Sequence, residues 1–139
     1  MFENILLAVD GSEGSKHAAK VAAGMARDHK GILRVVAAYE PIPPYLGEPN
    51  LHIVMEARIQ EAKSVLDQIL ALIGKVPGEI HTEILEGDPA EAILRVAETR
   101  QSDLIVMGSR GLGQLAGMLL GSQSQKVVNH APCPVLIVR

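Results

Sequence analysis

Five short runs typical of strands, separated by segments with helical spacing or helix-capping signals, limit the fold of this chain more than any other feature. Four of them are apolar: NILLAV, ILRVVAAY, DLIVM and CPVLIVR. The run EIHTEILEG is more polar and alternating, as expected near a sheet edge. Short apolar runs bounded by turn residues predict strands. Strands that alternate with helices predict a parallel sheet with helices on both faces. In such sheets a ligand binds beyond the carboxyl ends of the strands, where the strand order reverses.

Turn and capping residues mark the connections between these runs. Ser12 is placed to cap a helix that continues to about Asp28, and a long helix is expected over about Leu51–Ile73. GDPAEAI combines an N-cap aspartate, a first-turn proline and a glutamate at capping-box spacing. SQSQKVVNHA predicts the last helix. EPIPPYLGEPN predicts a loop, which either closes over a ligand or is an inert connection.

The composition fits one domain over residues 1–139 and argues against several classes of protein. Hydrophobic residues make up 47%, which is too many for a disordered chain, and no apolar segment reaches the roughly 20 residues of a membrane span. The net charge of −3, with no Trp, two Tyr and one Phe, offers no basic or aromatic surface for nucleic acid. With a single cysteine, Cys133, and no signal-peptide features in MFENILLAVDG, we expect a cytoplasmic protein.

Five of the thirteen glycines fall in MGSRGLGQLAGMLLGSQSQ, directly after the predicted fourth strand. Ordinary turn geometry is one reading of them. A dinucleotide fingerprint is a second, because GLGQLA matches G-x-G-x-x-A, but that motif belongs after a first strand and needs a later acidic residue, and none follows Asp103. A split phosphate cradle is the third, in which a glycine turn and a helix N-terminus direct backbone N–H groups at one anion.

The spacing G-x-x-G, nine residues, then G-S, preceded by DLIVM, resembles the nucleotide-binding signature of the universal stress protein family. ILLAVDGS and APCPVLIVR resemble that family's first and last strands, so the similarity covers the whole chain. Because the glycine spacing is complete, the resemblance is to the ATP-binding branch. It implies a nucleotide-dependent regulator of the stress response. The fold expected from the pattern and the resemblance together is a single-domain, Rossmann-like α/β fold of the adenine-nucleotide α-hydrolase type, with strand order 3-2-1-4-5.

The resemblance also implies roles for particular residues. Ala8, Val9, Ala38 and Met107 would lie near the adenine, the first three through their backbone. Asp10 would contact the ribose and a metal, mostly through the phosphates. The remaining residues would hold the ribose–phosphate side and the terminal phosphates: Gly108, Arg110, Gly111, Gly121, Ser122, Gln123 and Ser124. Mg²⁺ or Mn²⁺ would offset the phosphate charge.

Each of these roles has an ordinary structural alternative. Asp10 could bond only within its own turn, Ser122 could be only a helix cap, and Met107 could be only core. Arg110 could be merely solvated. A dimer that binds no nucleotide is a further reading, although the small residues of the glycine motif are present.

Signals for catalysis are weak. The five histidines show no metal-ligand spacing, no G-x-S-x-G motif occurs, and Cys133 between two prolines has no basic neighbour. Phosphoryl transfer needs a positioned base or an arginine, for which only Asp10 and Arg110 are candidates. We therefore expect no catalytic residues and at most weak ATPase activity. The alternative is an adenine-nucleotide-dependent enzyme that hydrolyses ATP slowly or transfers an adenylyl group.

The C-terminal strand, Pro134–Arg139, is expected at the edge of the sheet, where an apolar strand can pair with another chain. The family resemblance implies a homodimer formed through this strand about a two-fold axis.

Overall fold

Five parallel strands form one sheet, and their spatial order differs from their order in the chain. The computed structural model describes residues 2–109 and 120–139. Neighbouring strands pair in parallel in the order β3-β2-β1-β4-β5. The predicted order 3-2-1-4-5 is confirmed, and it reverses between β1 and β4. The strands are β1 (Asn4–Val9), β2 (Ile32–Tyr39), β3 (Glu79–Glu86), β4 (Leu104–Gly108) and β5 (Val135–Val138).

Helices cover both faces of this sheet, as the alternating pattern predicts. Within the described part of the chain these are α1 (Glu13–Asp28), α2 (Asn50–Ile73), α3 (Pro89–Thr99) and α4 (Ser122–His130). The helices α1 and α2 pack on one face, and α3 and α4 pack on the other. The proline-rich stretch predicted as a loop also contains a short 3₁₀ turn, Pro44–Leu46.

The central strand β1 is apolar almost throughout because both of its faces are buried. Ile5, Leu7 and Val9 belong to the core shared with α1 and α2, whereas Leu6 and Ala8 belong to the core shared with α3 and α4. All five are 7% exposed or less. Side chains alternate between faces along a strand, so a strand covered on both sides needs apolar residues at consecutive positions.

The two edge strands are those predicted. The polar strand β3 lies at one edge, where Glu83 pairs with Arg34 at 3.6 Å and with Arg100 at 2.9 Å. The strand β5 lies at the other edge and is half-buried along its length. Leu136 and Val138 pack against the core beneath α1. Pairing of β5 with a second chain stays a prediction.

Candidate functional site

A cavity of about 650 Å³ opens at the carboxyl ends of β1, β2 and β4, where the strand order reverses. Every residue that the sequence predicted for the site, and that the structure describes, lines this cavity. Arg110 and Gly111 lie outside the described residues. The predicted residues brought together are Ala8, Val9, Asp10, Ala38, Met107, Gly108, Gly121, Ser122, Gln123 and Ser124.

Much of the cavity lining is apolar. Val36 and Ala37 of β2, Met107 of β4 and Ile93 of α3 contribute to it, and all four are buried. Val36, Met107 and Ile93 belong to the core shared with α3 and α4, whereas Ala37 and Ala62 belong to the core shared with α1 and α2. An apolar lining of this kind suits a flat aromatic ring.

Residues of α2 and of the connection that follows β2 were missed by the sequence reasoning. Arg58, Glu61, Ala62 and Val65 recur at helical spacing and form the α2 wall of the cavity. The Arg58 Nη1 donates a 2.8 Å hydrogen bond to the carbonyl oxygen of Glu40, which joins α2 to the end of β2. The sequence predicted the helix itself but not its use as a cavity wall, because α2 is distant in sequence from the glycine motif.

Asp10 sits at the end of β1 on the cavity rim. Its Oδ1 accepts a 2.9 Å hydrogen bond from the backbone N–H of Ser12, the turn bond that the ordinary structural reading expects. The Ser12 Oγ in turn accepts from the N–H of Ser15 at 3.2 Å and so caps α1, as predicted. The turn orients an exposed carboxylate at the mouth of the cavity.

Gly108, at the end of β4, has a packing requirement of its own. A Cβ built there would lie 2.7 Å from the backbone carbonyl carbon of Gly14, because the start of α1 crosses β4 at this point. The glycine therefore permits a close approach of two backbones. This reason for glycine is independent of any ligand.

Two hydrogen bonds join the end of β4 to the beginning of α4. The N–H of Gly121 donates to the carbonyl oxygen of Ser109 at 2.8 Å. The Ser124 Oγ donates to the carbonyl oxygen of Gly108 at 2.9 Å, and the Ser124 side chain is buried. These bonds use the Gly121 N–H and the Ser124 hydroxyl hydrogen. The donors that the start of α4 offers to a ligand are consequently the backbone N–H groups of its first turn and the Ser122 hydroxyl.

Three helices, α1, α3 and α4, place their first turns on the cavity, and their N-termini differ. The first N–H groups of a helix have no partner within the helix and bind anions when nothing else satisfies them. Ser12 caps α1 with its side chain. At α3 the first residue is Pro89, which has no N–H, the Ala90 N–H donates to Gln123 Oε1 at 2.9 Å, and the Glu91 N–H donates to Asp88 Oδ2 at 3.2 Å.

Helix α4 begins differently, because its N-cap residue is Gly121, which has no side chain with which to cap it. Gly121 is buried, whereas Ser122 is exposed on the cavity wall. The helix dipole adds a partial positive charge at the same place. Among the N-termini that the structure describes at the cavity, that of α4 is the one whose N-cap residue has no side chain, so its first-turn amides are open to an anion.

A cluster of polar side chains joins α4 to α3. The Gln123 Nε2 donates to Asp88 Oδ1 at 3.0 Å, and Lys126 Nζ lies 3.1 Å from Asp88 Oδ2 and 3.3 Å from Glu91 Oε1. Burial disfavours ionisation of Asp88, but its hydrogen bonds from Gln123, Lys126 and the Glu91 N–H outweigh this and lower the pKa of Asp88. The hydrogen bond to Asp88 raises the pKa of Lys126. Both groups are charged at neutral pH.

Groups for metal binding or covalent catalysis are sparse in the described residues. Within 2–109 and 120–139, no three His, Cys, Asp or Glu side chains are grouped so that they could hold a metal ion alone. Burial and the nearby charge of Asp103 raise the pKa of Cys133, which disfavours the nucleophilic thiolate. The role of Asp10 in metal binding, mostly through phosphates, stays a prediction. No helix of the described chain has the length and hydropathy to cross a membrane.

Comparison with known proteins places the whole chain in one family. The model of the universal stress protein family matches residues 1–139. A universal stress protein of Thermus aquaticus is 53% identical over 139 residues, covering 100% of both chains.

Two solved structures extend this likeness to the fold. The universal stress protein UspA of Lactobacillus plantarum superposes with a TM-score of 0.89 at 29% identity, covering 99% of this chain and 98% of its own. A universal stress protein solved in complex with cAMP superposes with a TM-score of 0.68 at 28% identity, covering 99% and 97% of the two chains. This chain, with its five-stranded sheet in the order 3-2-1-4-5 and its match over the full length, belongs to the universal stress protein family.

Proposed function

We propose that this protein binds ATP, or another adenine nucleotide, in the cavity at the carboxyl ends of β1, β2 and β4, and acts as a nucleotide-dependent regulator in the stress response. The observation that carries the proposal is the start of α4. Its first-turn N–H groups lie on the cavity behind Gly121, which cannot cap them. The N-termini of α1 and α3 on the same cavity are capped by side chains.

The two ends of the cavity suit the two ends of a nucleotide. The apolar lining contributed by β2, Met107 and α2 accommodates the adenine, with Ala8, Val9 and Ala38 offering backbone groups to its edge. The terminal phosphates bind the amides of Ser122, Gln123 and Ser124. Asp10, on the rim between the two ends, contacts the ribose. Arg110 and Gly111 complete the ribose–phosphate side, as the family resemblance implies.

A relative supports the choice of adenine. The universal stress protein that shares 28% identity with this chain and nearly all of its length was solved in complex with cAMP. The common part of cAMP and ATP is adenosine, which matches the apolar end of the cavity.

A divalent cation fits the charges of the site. Among the described residues that line the cavity, Asp10, Glu40 and Glu61 are acidic and Arg58 is basic. A polyphosphate placed there adds further negative charge. Mg²⁺ or Mn²⁺, when bound, would neutralise phosphate charge and prefers oxygen ligands such as the Asp10 carboxylate. Asp10 would hold the cation mainly through the phosphates.

A regulatory role fits the cavity better than rapid catalysis. The described lining contains no His, Cys or Lys, and the Asp10 carboxylate accepts a hydrogen bond from the Ser12 N–H in its own turn. Phosphoryl transfer needs a positioned base or a cationic group in addition to a cradle. The alternative, slow ATP hydrolysis or adenylyl transfer, would rely on Asp10 and Arg110.

The proposed regulator is a cytoplasmic homodimer. The half-buried edge strand β5 pairs with β4 on one side, and its other edge has no partner among the described strands, so it is available to pair with the same strand of a second copy. One cysteine in 139 residues is consistent with a reducing compartment.

The proposal is tested by identifying the nucleotide and following its fate. Purified protein is denatured, and whatever nucleotide is released is identified by mass spectrometry. The apo protein is then incubated with ATP and Mg²⁺ and the nucleotide is followed by chromatography. Recovery of intact, stoichiometric ATP supports a regulator, several turnovers per minute support an enzyme, and absence of binding by calorimetry rejects the proposed function.

A further inference from the structure

Gln123 lines the cavity, but both ends of its side-chain amide are used by α3. Its Oε1 accepts from the Ala90 N–H at 2.9 Å and its Nε2 donates to Asp88 Oδ1 at 3.0 Å. The side chain thus binds the N-terminus of α3. Only its backbone N–H, in the first turn of α4, is directed by the helix toward an anion.

Lys126, one turn farther along α4, completes this connection. Its Nζ lies 3.1 Å from Asp88 Oδ2 and 3.3 Å from Glu91 Oε1. Lys126 is therefore the cation paired with two carboxylates at the start of α3. Asp88, Gln123 and Lys126 are named here the interhelix bridge.

The interhelix bridge controls two properties of the α4 N-terminus. It holds the first turn of α4 in one position relative to α3, because Gln123 makes two hydrogen bonds in a fixed geometry. It also offsets the negative charge of Asp88, which bonds directly to Gln123, a residue of the predicted phosphate side. An uncompensated carboxylate at that position would repel phosphate.

We propose that the interhelix bridge is a positioning device that determines how strongly this cavity prefers phosphorylated nucleotides over adenosine. It acts through the amides of α4 and through the charge beside them, and none of its three side chains contacts the phosphates. This inference rests on the proposed function, since it concerns the phosphate end of the same cavity.

Charge removal separates this role from a purely structural one. Lys126→Met keeps the apolar stem of the side chain but removes the positive charge that pairs with Asp88 and Glu91. We expect the affinity for ATP to fall about tenfold and that for AMP about threefold, with adenosine within about twofold of wild type, because the repulsion grows with phosphate charge. The loss for ATP shrinks at high salt, since both partners are partly exposed.

A second substitution tests whether the charge of Asp88 causes the loss. Asn is a good N-cap residue, so Asp88→Asn keeps one oxygen to cap α3 and removes the negative charge, although the hydrogen bond from Gln123 Nε2 is lost with the second oxygen. Added to Lys126→Met, it should restore ATP affinity to within about threefold of wild type. Lys75→Met removes one positive charge from an exposed position at the opposite end of the sheet and is the matched control.

Gln123→Ala tests whether the interhelix bridge holds the first turn of α4 in position, and it does so without changing any charge. Hydrogen exchange of the helix-bonded amides that follow the first turn of α4 should be faster in the ligand-free variant than in wild type, and the ratio of ATP to adenosine affinity should fall about fivefold. Gln125→Ala, an exposed residue of the same helix, is its control and should change neither quantity.

The outcomes separate this inference from the proposed function. If wild type binds neither ATP nor adenosine in calorimetry, the proposed function fails and this inference with it. If wild type binds both and Lys126→Met keeps the wild-type ATP-to-adenosine ratio, the charge role is overturned and the proposed function stands. Unchanged exchange and an unchanged ratio in Gln123→Ala overturn the positional role. Circular dichroism confirms that each variant is folded.

Discussion

The buried Ser124 hydroxyl donates a 2.9 Å hydrogen bond to the carbonyl oxygen of Gly108. This bond joins the first turn of α4 to the end of β4 across the residues that separate them in the chain. Together with the bond from the Gly121 N–H to the Ser109 carbonyl oxygen, it holds Gly108 beside the start of α4. It also means that Ser124 would meet a phosphate with its backbone N–H, because its hydroxyl hydrogen is already donated.

Ser124→Ala should remove this link without changing the helix itself. The Gly108 carbonyl oxygen loses its donor in a buried place, so we expect the free energy of unfolding to fall by about 1–2 kcal/mol. ATP affinity should fall as well, since the α4 amides are less firmly held. Urea unfolding and calorimetry measure the two effects, with Ser64→Ala on the exposed face of α2 as the control. Full stability in Ser124→Ala would contradict the role of the bond.

Gly108→Ala should destabilise the fold whether or not nucleotide is present. The added Cβ would lie 2.7 Å from the backbone carbonyl carbon of Gly14, and two backbones must separate to admit it. Overpacking of this kind costs about 1–3 kcal/mol. Gly24→Ala on α1, where a Cβ meets nothing within 4 Å, should instead be neutral or stabilising. Chemical unfolding of both variants decides whether packing or ligand contact requires glycine at this position.

Gly121→Val should abolish ATP binding and leave the fold intact. The backbone at Gly121 has φ −69° and ψ 160°, which a valine adopts without strain. Its side chain would enter the space in front of the α4 amides, where the phosphates are proposed to bind. Calorimetry with ATP tests this, and circular dichroism verifies folding. Undiminished ATP affinity in a folded variant would show that the phosphates do not bind at the start of α4.

A charge on the edge strand should prevent dimer formation. Leu136→Asp or Val138→Asp places a carboxylate in β5, and two copies paired through that strand would bring like charges together. Sedimentation velocity at micromolar concentration should show the dimer for wild type and the monomer for either variant. Leu72→Asp, on the exposed side of α2, is the control. An unchanged sedimentation coefficient in folded variants would argue against pairing through β5.

Acid should remove the contribution of Asp88 to stability. Burial opposes its ionisation, but the hydrogen bonds from Gln123, Lys126 and Glu91 hold its pKa below the ordinary 3.8. A carboxyl group with a lower pKa in the folded state stabilises above its unfolded pKa and loses that effect as the pH falls through the folded pKa. The difference in unfolding free energy between wild type and Asp88→Asn should therefore be constant near neutrality and shrink below about pH 4.

Urea unfolding at several pH values measures this difference. Asp67→Asn, an exposed carboxylate on α2, serves as the comparison. A gap between wild type and Asp88→Asn that widens in acid would have the wrong sign for the bonds described. The pKa of Lys126 is raised, so its contribution to the free energy of unfolding is lost only as the pH rises above its ordinary 10.5.

Much of the fold was predictable from local patterns. The bounds of β1 and β2, the caps at Ser12 and Asp88, and the polar edge strand β3 all follow from apolar spacing and from residues that satisfy helix N-termini. These signals are local, because a strand or a helix start is specified by residues within a few positions of one another. The glycine spacing likewise pointed to the cavity at the ends of β1 and β4.

Only the tertiary structure decided which polar groups at the cavity are already hydrogen-bonded to other parts of the protein. The bond from Ser124 to Gly108 spans 16 positions, and those from Gln123 to Ala90 and Asp88 span 33 and 35. No periodicity in the sequence encodes such contacts, because they depend on how α3, α4 and β4 pack on the sheet. By itself the sequence determined a parallel α/β sheet with a glycine-rich helix start at its ligand end. Packing determined that the side chains of Gln123 and Ser124 bind the protein, which leaves the first-turn backbone amides of α4 and the Ser122 hydroxyl for a ligand.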